Sequence, residues 1–434
     1  MTALAWPRRA RAARRRHSFE GGARATAAAG SPRSGRSGLG FARLWAAVGV
    51  SNLGDGVASA ALPLLAAALT QDPMLVAGLA VAQQVPWLLF ALPAGVVVDR
   101  SDRRRLMWRT DALRALAVAA LAVLVAVGQG SLALLYAIAF ALGVAETLFD
   151  TAYRSLVPSL VGKGDLERAN ARLYGVEIVA NRFAGPPLGG LLFAAAASAP
   201  LFLDAGSFLL AAVAVFAIAG RFRPAGADVA ATPMRAAVGE GIRWLAGHRL
   251  LRSLAVVVSV WHLVWGAGSA ILVLYAQELL ELGSAGFGVL LAAGAVGSVL
   301  GTVLTSRLAG SVGRRRVLVG AVAVAAAAQL GLALTSNPVV AGVALAVSGM
   351  SAVVWNVITV ALRQRLTPDA LLGRVNSAYR FAAIGAVALG AALGGALGTI
   401  DLRLPFVVAA ATLLLTAAGL LAFTRDSKSS AELS

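Results

Sequence analysis

A short charge cluster interrupts a long apolar stretch near residue 100. It includes Asp99, Arg100, Arg103 and Arg104, and almost all residues of 74–98 before it and of 115–127 after it are apolar. Apolar runs of about 20 residues are long enough to cross roughly 30 Å of hydrocarbon. Arginines between two such runs are typical of a tight loop on the cytoplasmic side of a bilayer.

A second basic loop supports this interpretation. Gly313 is followed by Arg314, Arg315 and Arg316, again between two apolar runs and 211 residues after Arg103 to Arg105. One such loop marks membrane topology, whereas two equivalent loops indicate a duplicated membrane protein.

The composition excludes a water-soluble globule. Of the 434 residues, 59% are hydrophobic and 13% are charged, whereas soluble domains have about 25% charged residues. There is no cysteine and there are three histidines, so we expect no disulfide, no metal site and no cofactor. The sequence has no phosphate-binding Gly-rich motif, and we expect no enzymatic activity.

The net charge of +18 would point to nucleic acid on a soluble chain. Here ten of the 38 basic residues lie in 1–43, and most others lie in alternate loops between apolar runs. That distribution predicts a multi-pass protein of the cell membrane with both termini in the cytoplasm and no nucleic-acid partner. We expect 1–40 to be a disordered basic tail and 425–434 to be a cytoplasmic tail.

The apolar runs predict an all-α membrane protein with twelve transmembrane helices. Two pseudo-symmetric six-helix bundles, 41–220 and 251–424, are joined by a cytoplasmic linker, 221–250, in which Glu240 to Leu245 form a short amphipathic helix. The predicted spans are about 43–70, 75–98, 106–128, 131–154, 170–195, 200–220, 251–276, 285–306, 316–335, 339–362, 375–398 and 404–424.

The two halves carry matching residues at an offset of 206. Arg168 is matched by Arg374, Asp150 by Asn356, Phe149 by Trp355 and Gly189 by Gly395. Internal repeats joined by a linker are typical of two bundles that rock around a shared site near the bilayer midplane.

The residues at these positions resemble the major facilitator superfamily. The loop from Gly95 through Asp99 and Arg100 to Arg103 and Arg104 is similar to the signature between spans two and three, with Asp102 where a Gly is usual. Leu92 to Arg100 and Phe149 to Pro158 are similar to the branch of the enterobactin exporter and macrolide efflux pumps. The resemblance covers about 43–424 and implies a transporter that works by alternating access.

The resemblance also implies a cytoplasmic gate. Arg103 or Arg104 would reach Asp150, and Asp99 would sit at the start of span eleven, where a helix dipole favours a carboxylate. The alternative is that these charges only set the orientation in the membrane. The predicted gate consists of Gly95, Asp99, Arg100, Arg103, Arg104, Asp150, Arg314 and Arg315.

Span five carries a motif similar to one in exporters of the superfamily. Pro186 and Pro187 remove backbone donors and are expected to bend the helix, while Gly185, Gly189 and Gly190 allow close helix approach. A packing kink without any role in transport direction is the alternative. The Arg of span four that such exporters often carry is absent, which weakens any inference about proton coupling from that residue.

Ionisable groups at membrane depth are costly and mark functional candidates. Asp55, Glu146, Glu177 and Arg182 are predicted to form one cluster, in which Arg182 neutralises Asp55 or Glu146 and one carboxylate is free to carry a proton. A structural ion pair between spans one, four and five is the alternative.

Aromatic residues mark the second half. In the superfamily, spans one, four, seven and ten line the cavity, so Trp261, His262, Trp265, Trp355 and Asn356 are candidates for contact with a bulky amphipathic or cationic substrate. Packing is the alternative for the tryptophans. Tyr379 and Arg380, near the start of span eleven, are expected to lie at the membrane interface with extended side chains; the alternative is that they face the cavity.

We therefore predict a secondary active transporter that exports an amphipathic small molecule, with a proton as coupling ion. The small molecule, the proton and the lipid bilayer are the expected partners, and we expect a monomer. A lipid or metabolite facilitator without ion coupling is the second hypothesis, and a non-transporting membrane sensor or scaffold is the third.

Overall fold

The computed structural model describes residues 34–220, 222 and 234–425. These residues form fourteen α-helices and no strand. The helices are α1 (Ser34–Leu69), α2 (Pro73–Arg100), α3 (Arg103–Ala126), α4 (Leu132–Leu160), α5 (Leu166–Glu177), α6 (Gly185–Ala195), α7 (Ala199–Phe216), α8 (Met234–Gly247), α9 (Arg249–Leu274), α10 (Ser284–Val312), α11 (Arg314–Leu334), α12 (Pro338–Leu366), α13 (Asp369–Gly398) and α14 (Leu404–Arg425).

The predicted fold class, an all-α membrane protein, is confirmed. Within the described residues, ten helices are long and apolar enough to cross a membrane. Predicted span three corresponds to α3, which has 24 residues but carries Arg109, Asp111 and Arg114 among its apolar residues. Predicted span five is divided into α5, a π-helical segment (Ile178–Ala184) and α6, so none of its pieces is long enough alone.

Most of the predicted tails and part of the predicted linker, 221 and 223–233, lie outside the described residues. The first helix, α1, begins at Ser34, seven residues before the predicted start of the first bundle at 41. The helix expected around Glu240 is α8, and it contacts α13 through an ion pair between Glu240 and Arg374 at 2.5 Å.

The two halves repeat one packing pattern. In the first half, α2 packs on α4, α3 on α7, and α1 on α6; in the second half, α10 packs on α12, α11 on α14, and α9 on α13. Each pair of the second half lies six spans after its counterpart. Between the halves, α2 packs against α13, and α6 packs against α10.

The apolar cores show where the halves meet. One buried cluster contains residues of both halves, from Ala58 to Leu79 in the first and from Ala270 to Leu290 in the second. Two other clusters each stay within one half, one around Leu156 and the other around Leu254. The shared cluster lies at the end of the bundle that carries the connection between α1 and α2, which we call the closed end. The separate clusters lie at the opposite end, which carries most of the basic connections and which we call the basic end.

Small residues bring the halves together at the closed end. A Cβ atom on Gly190 of α6 would collide with the Ser284 carbonyl of α10, and one on Gly288 would collide with the carbonyl of Pro186. Likewise, Gly395 of α13 lies against Ala77 of α2. At the basic end, a Cβ atom on Gly95 of α2, Gly175 of α5, Gly310 of α10 or Gly373 of α13 would have no neighbour within 4 Å. The halves therefore enclose a cleft that opens at the basic end.

A bulky residue at Gly190 is expected to open the closed end. The natural chain has no cysteine, so a single Ala77→Cys reporter, fully buried between the halves, can be labelled with a maleimide. Gly190→Leu is expected to raise the labelling rate several-fold because its side chain cannot fit against Ser284. Gly206→Leu is the control, since a Cβ atom there has open space. Equal labelling of both variants would contradict this packing.

Candidate functional site

Four carboxylates surround one arginine inside the first half. Arg114 lies on α3, and Asp55, Asp111, Glu146 and Asp204 come from α1, α3, α4 and α7. Each of these four carboxylates interacts electrostatically with Arg114. We call this group the carboxylate cluster.

The centre of the cluster is buried. Arg114 is 3% exposed, Asp111 is fully buried and Asp204 is 2% exposed. The Nη1 atom of Arg114 is 3.8 Å from Oδ1 of Asp111, and its guanidinium lies over the rings of Phe149 and Phe208, at 5.4 and 5.1 Å from their centroids. One arginine therefore provides the positive charge for several carboxylates in an apolar environment.

The buried carboxylates lack hydrogen-bond donors. Among the described residues, both carboxylate oxygens of Asp111 and the Oδ1 atom of Asp204 have no hydrogen-bond partner. Asp204 lies against Gly54, next to Asp55, and a Cβ atom on Gly54 would clash with it. Leaving a buried ion without hydrogen bonds is unfavourable, so this part of the fold is retained at a cost in stability.

The cluster extends from the interior to the cleft. Asp55 is half-buried and Glu146 is exposed, although α4 is packed on both sides by α2 and α3. Asp55 also interacts electrostatically with Asp111 and with Glu146. The carboxylates thus form a continuous series from the cleft wall to the buried arginine.

Sequence reasoning selected two members of this cluster and missed three. Asp111, Arg114 and Asp204 lie within the predicted spans three and six, and the rule that selected Asp55 applies to them equally. Asp111 and Arg114 follow the dense charges at the start of α3, which were assigned to the loop, whereas Asp204 is a single carboxylate in an apolar run.

The expected role of Arg182 was wrong. Arg182 lies in the π-helical segment, its side chain is exposed, and it takes part in no ion pair within the described part of the chain. Glu177 is half-buried one and a half turns away. Arg114 of α3 is the cation of the cluster, the role that was expected for Arg182.

The helix-bending motif lies where span five changes from π- to α-helix. Pro186 and Pro187 occupy the first turn of α6, where their missing N–H groups cost least. Gly185 contacts Gly56 of α1, and Gly189 contacts Val57. The motif therefore allows α6 to lie close to α1 on one side and to α10 on the other.

A second polar group lines the cleft where the halves diverge. The guanidinium of Arg380 on α13 lies 4.6 Å from the ring centroid of Trp87 on α2, and the Trp87 indole lies close to the Glu146 carboxylate. Asp150 is paired with Arg154 on the same helix at 3.4 Å. The expected interfacial placement of Tyr379 and Arg380 was wrong: Tyr379 is buried and donates to the carbonyl of Leu251 at 2.5 Å.

Two of the predicted cavity aromatics lie in the core instead. Trp261 and Trp355 stack with their centroids 6.1 Å apart, and both are buried within the second half. Trp265 is 54% exposed, His262 is half-buried with Nδ1 2.8 Å from the carbonyl of Val258, and Asn356 is exposed. The packing alternative therefore holds for Trp261 and Trp355.

The predicted gate contacts are not formed in this conformation. Arg103 donates to the Ser155 carbonyl at 2.9 Å, and Arg104 donates to the Ile218 carbonyl at 2.5 Å. Both arginines therefore hold α3 to neighbouring helices of the same half, and Asp150 pairs with Arg154 instead. Within the described part of the chain, neither Arg103 nor Arg104 pairs with Asp150, which belongs to the same half.

The remaining gate residues lie at the basic end. Asp99 and Arg100 are exposed, Gly95 and Arg314 are partly exposed, and Arg315 donates to the Thr424 hydroxyl at 3.1 Å. Asp102, which departs from the superfamily signature, caps α3 and accepts a hydrogen bond from the backbone of Phe222.

The family profile described as transmembrane secretion effector matches residues 36–433. The chain belongs to this family of major facilitator superfamily transporters. It is 27% identical over 379 residues to an uncharacterised MFS-type transporter of Sinorhizobium fredii, covering 84% of this chain and 90% of that one. It is 27% identical to the enterobactin exporter of Escherichia coli over 70% of this chain and 72% of the exporter. It is 30% identical to the multidrug efflux pump Tap of Mycolicibacterium fortuitum, covering 47% of this chain and 51% of the pump.

Solved structures support the same fold. An inward-facing bacterial homologue of the iron transporter ferroportin has a TM-score of 0.70 at 21% identity, covering 89% of this chain and 98% of the homologue. The nucleoside transporter NupG, as its D323A mutant, has a TM-score of 0.73 at 9% identity, covering 88% and 99%. At these identities the likeness shows the fold alone. The family match, over residues 36–433, shows that the chain is a multi-pass membrane transporter and not an enzyme.

Within the ranges that the structure describes, no group of three or more His, Cys, Asp or Glu side chains has an arrangement suited to a metal ion.

Removal of Arg114 is expected to destabilise the first half. Arg114→Gln leaves Asp111 buried without its cation, and breaking a buried pair in this way costs about 3–5 kcal/mol. The thermal unfolding of the detergent-solubilised protein measures this loss, and adding Asp111→Asn should recover part of it. The control is Arg182→Gln, which changes an exposed, unpaired arginine. Equal unfolding temperatures of Arg114→Gln and Arg182→Gln would refute this role of Arg114.

Proposed function

We propose that this protein exports an amphipathic small molecule across the cell membrane in exchange for protons, by alternating access. The observation that carries the proposal is the carboxylate cluster: one arginine faces four carboxylates of which two are fully enclosed. If all were ionised, Arg114 would face four negative charges, and two of them, on Asp111 and Asp204, lie in a low-dielectric interior, which is strongly unfavourable. Part of the cluster must then hold protons.

The arrangement of the cluster supports proton exchange with the cleft. Glu146 faces the cleft, Asp55 lies behind it, and Asp111 and Asp204 lie deeper beside Arg114. A proton that enters through Glu146 can reach the buried carboxylates through neighbouring groups. Loss of that proton changes the charge within the first half, which is the kind of local change that shifts a two-state equilibrium.

The direction of transport is proposed from relatives and from the cleft. The enterobactin exporter and the efflux pump Tap are named for export. We propose that the basic end faces the cytoplasm, because positive charges accumulate on that side, and that both termini lie there. A cytoplasmic cleft with apolar and aromatic walls would receive an amphipathic substrate from the inside.

The gate remains part of this proposal. When the closed end opens, the basic end must close, and Asp99 and Arg100 on α2 would then approach the start of α13 near Arg374. The exposed Asp99 and Arg100 are available for such contacts. The helix-bending motif, which lies between α1 and α10, would be one place where span five adjusts to the change.

The buried carboxylates should determine coupling. In inverted vesicles with an imposed pH gradient, wild-type protein is expected to accumulate an amphipathic dye, and Asp111→Asn is expected to reduce this pH-driven accumulation at least tenfold. Asp111 has no hydrogen-bond donor to lose, so the variant removes a charge with little change of shape. Dye binding in detergent should persist, because Asp111 is remote from the cleft.

The matched control is Asp165→Asn, which changes an exposed carboxylate at the surface. It should transport as the wild type does. Transport by Asp111→Asn that still follows the pH gradient would reject this coupling site. Transport by the wild type that ignores the gradient would favour the facilitator, and binding without any transport would favour the sensor or scaffold.

A further inference from the structure

We propose that Trp87 and Glu146 form a binding site for an organic cation, and that Arg380 occupies this site when the substrate is absent. The inference rests on the proposed function for the idea that a substrate enters the cleft, and it names the chemical class of that substrate. Arg380 is an internal cation that the exported molecule has to displace.

The first observation is the geometry of Arg380. Its guanidinium lies 4.6 Å from the ring centroid of Trp87, well within the distance of a cation–π contact. The contact joins α13 to α2 and so crosses from one half to the other. Arg380 takes part in no ion pair within 4 Å in the described part of the chain, although its side chain is exposed in the cleft.

The second observation is the charge around this contact. The Glu146 carboxylate lies close to the indole of Trp87, and both Glu146 and Asp150 interact electrostatically with Arg380. Arg154, the other cation near Arg380, is already paired with Asp150. An aromatic face beside an unpaired carboxylate is the combination that binds organic cations.

The third observation is access. Glu146 and Arg380 are both exposed and Trp87 is half-buried, and the contact lies where α2 and α13 begin to diverge towards the basic end. A molecule in the cleft can therefore reach the same ring face that Arg380 covers. Two carboxylates, Asp55 and Glu146, lie on this wall, and they outnumber its cations that have no carboxylate partner. The resulting negative charge disfavours anions.

Displacement of Arg380 would have a structural consequence. The Trp87–Arg380 contact is one of those that hold the two halves together near mid-depth, so a bound cation replaces a contact between the halves with a contact to one half. Binding thereby favours a rearrangement of α13 relative to α2. A ligand shifts an equilibrium only through such a difference in affinity between the two states.

Two probes of the same shape and opposite charge test this site. Tetraphenylphosphonium and tetraphenylborate binding to the full-length protein in detergent is measured by equilibrium dialysis, without a pH gradient. Arg380→Gln is expected to bind the phosphonium about tenfold more tightly than the wild type, the size of a desolvated cation–π contact. Tetraphenylborate should bind more weakly than the phosphonium to both proteins.

Further variants separate the site from a general effect of charge. Trp87→Leu and Glu146→Gln should each weaken phosphonium binding about tenfold. Arg109→Gln is the matched control, because it removes one exposed arginine of the peripheral helix α3 and should leave binding unchanged. The unfolding temperature of each variant shows that it is folded.

The proposal is overturned if Arg380→Gln binds the phosphonium no more tightly than the wild type, or if neither protein binds it. It is also overturned if tetraphenylborate binds preferentially and Arg380→Gln abolishes that binding, because Arg380 would then be a receptor for anions. Failure of the proposed function is distinct: the phosphonium would bind as expected, but vesicles would not transport it in response to a pH gradient.

Discussion

The two halves share an apolar core at one end only, and the cleft follows from this constraint. Small residues of α2, α6, α10 and α13 bring the helix backbones together at the closed end, where lipid could not fill the gaps. At the basic end each half has a core of its own. Side chains that would be costly against lipid, such as Glu146 and Arg380, face the cleft between the cores.

The second constraint is electrostatic. Inside the first half, Arg114 is the cation for several carboxylates, and the surrounding phenylalanine rings exclude water. Such a group is unstable when fully ionised and tolerable when partly protonated. In our account, protonation acts on the interior of the first half and the substrate acts on Trp87 at its cleft wall. The proton and the substrate both act on α4, the helix that carries Glu146. The two ligands are therefore linked through one helix.

The architecture could be predicted from the sequence because membrane spans depend on length, apolarity and the positions of arginines. The residues of the site could not, for two physical reasons. Arg182 lies in a π-helical segment and its side chain is exposed, and a pattern based on a regular helix does not reveal such a segment. Trp261 and Trp355 occupy cavity-lining helices but turn towards each other, and only the packing distinguishes the two sides of a helix that is apolar all round.

Alternating access can be followed by two distances between the halves. Spin labels on cysteines at Ser159 and Gln364 report the basic end, and labels at Gln129 and Leu334 report the closed end; double electron–electron resonance measures both distances as the pH changes. We expect one distance to shorten while the other lengthens, and Asp111→Asn to abolish the pH dependence. Distances that stay constant, or that change together, would contradict alternating access.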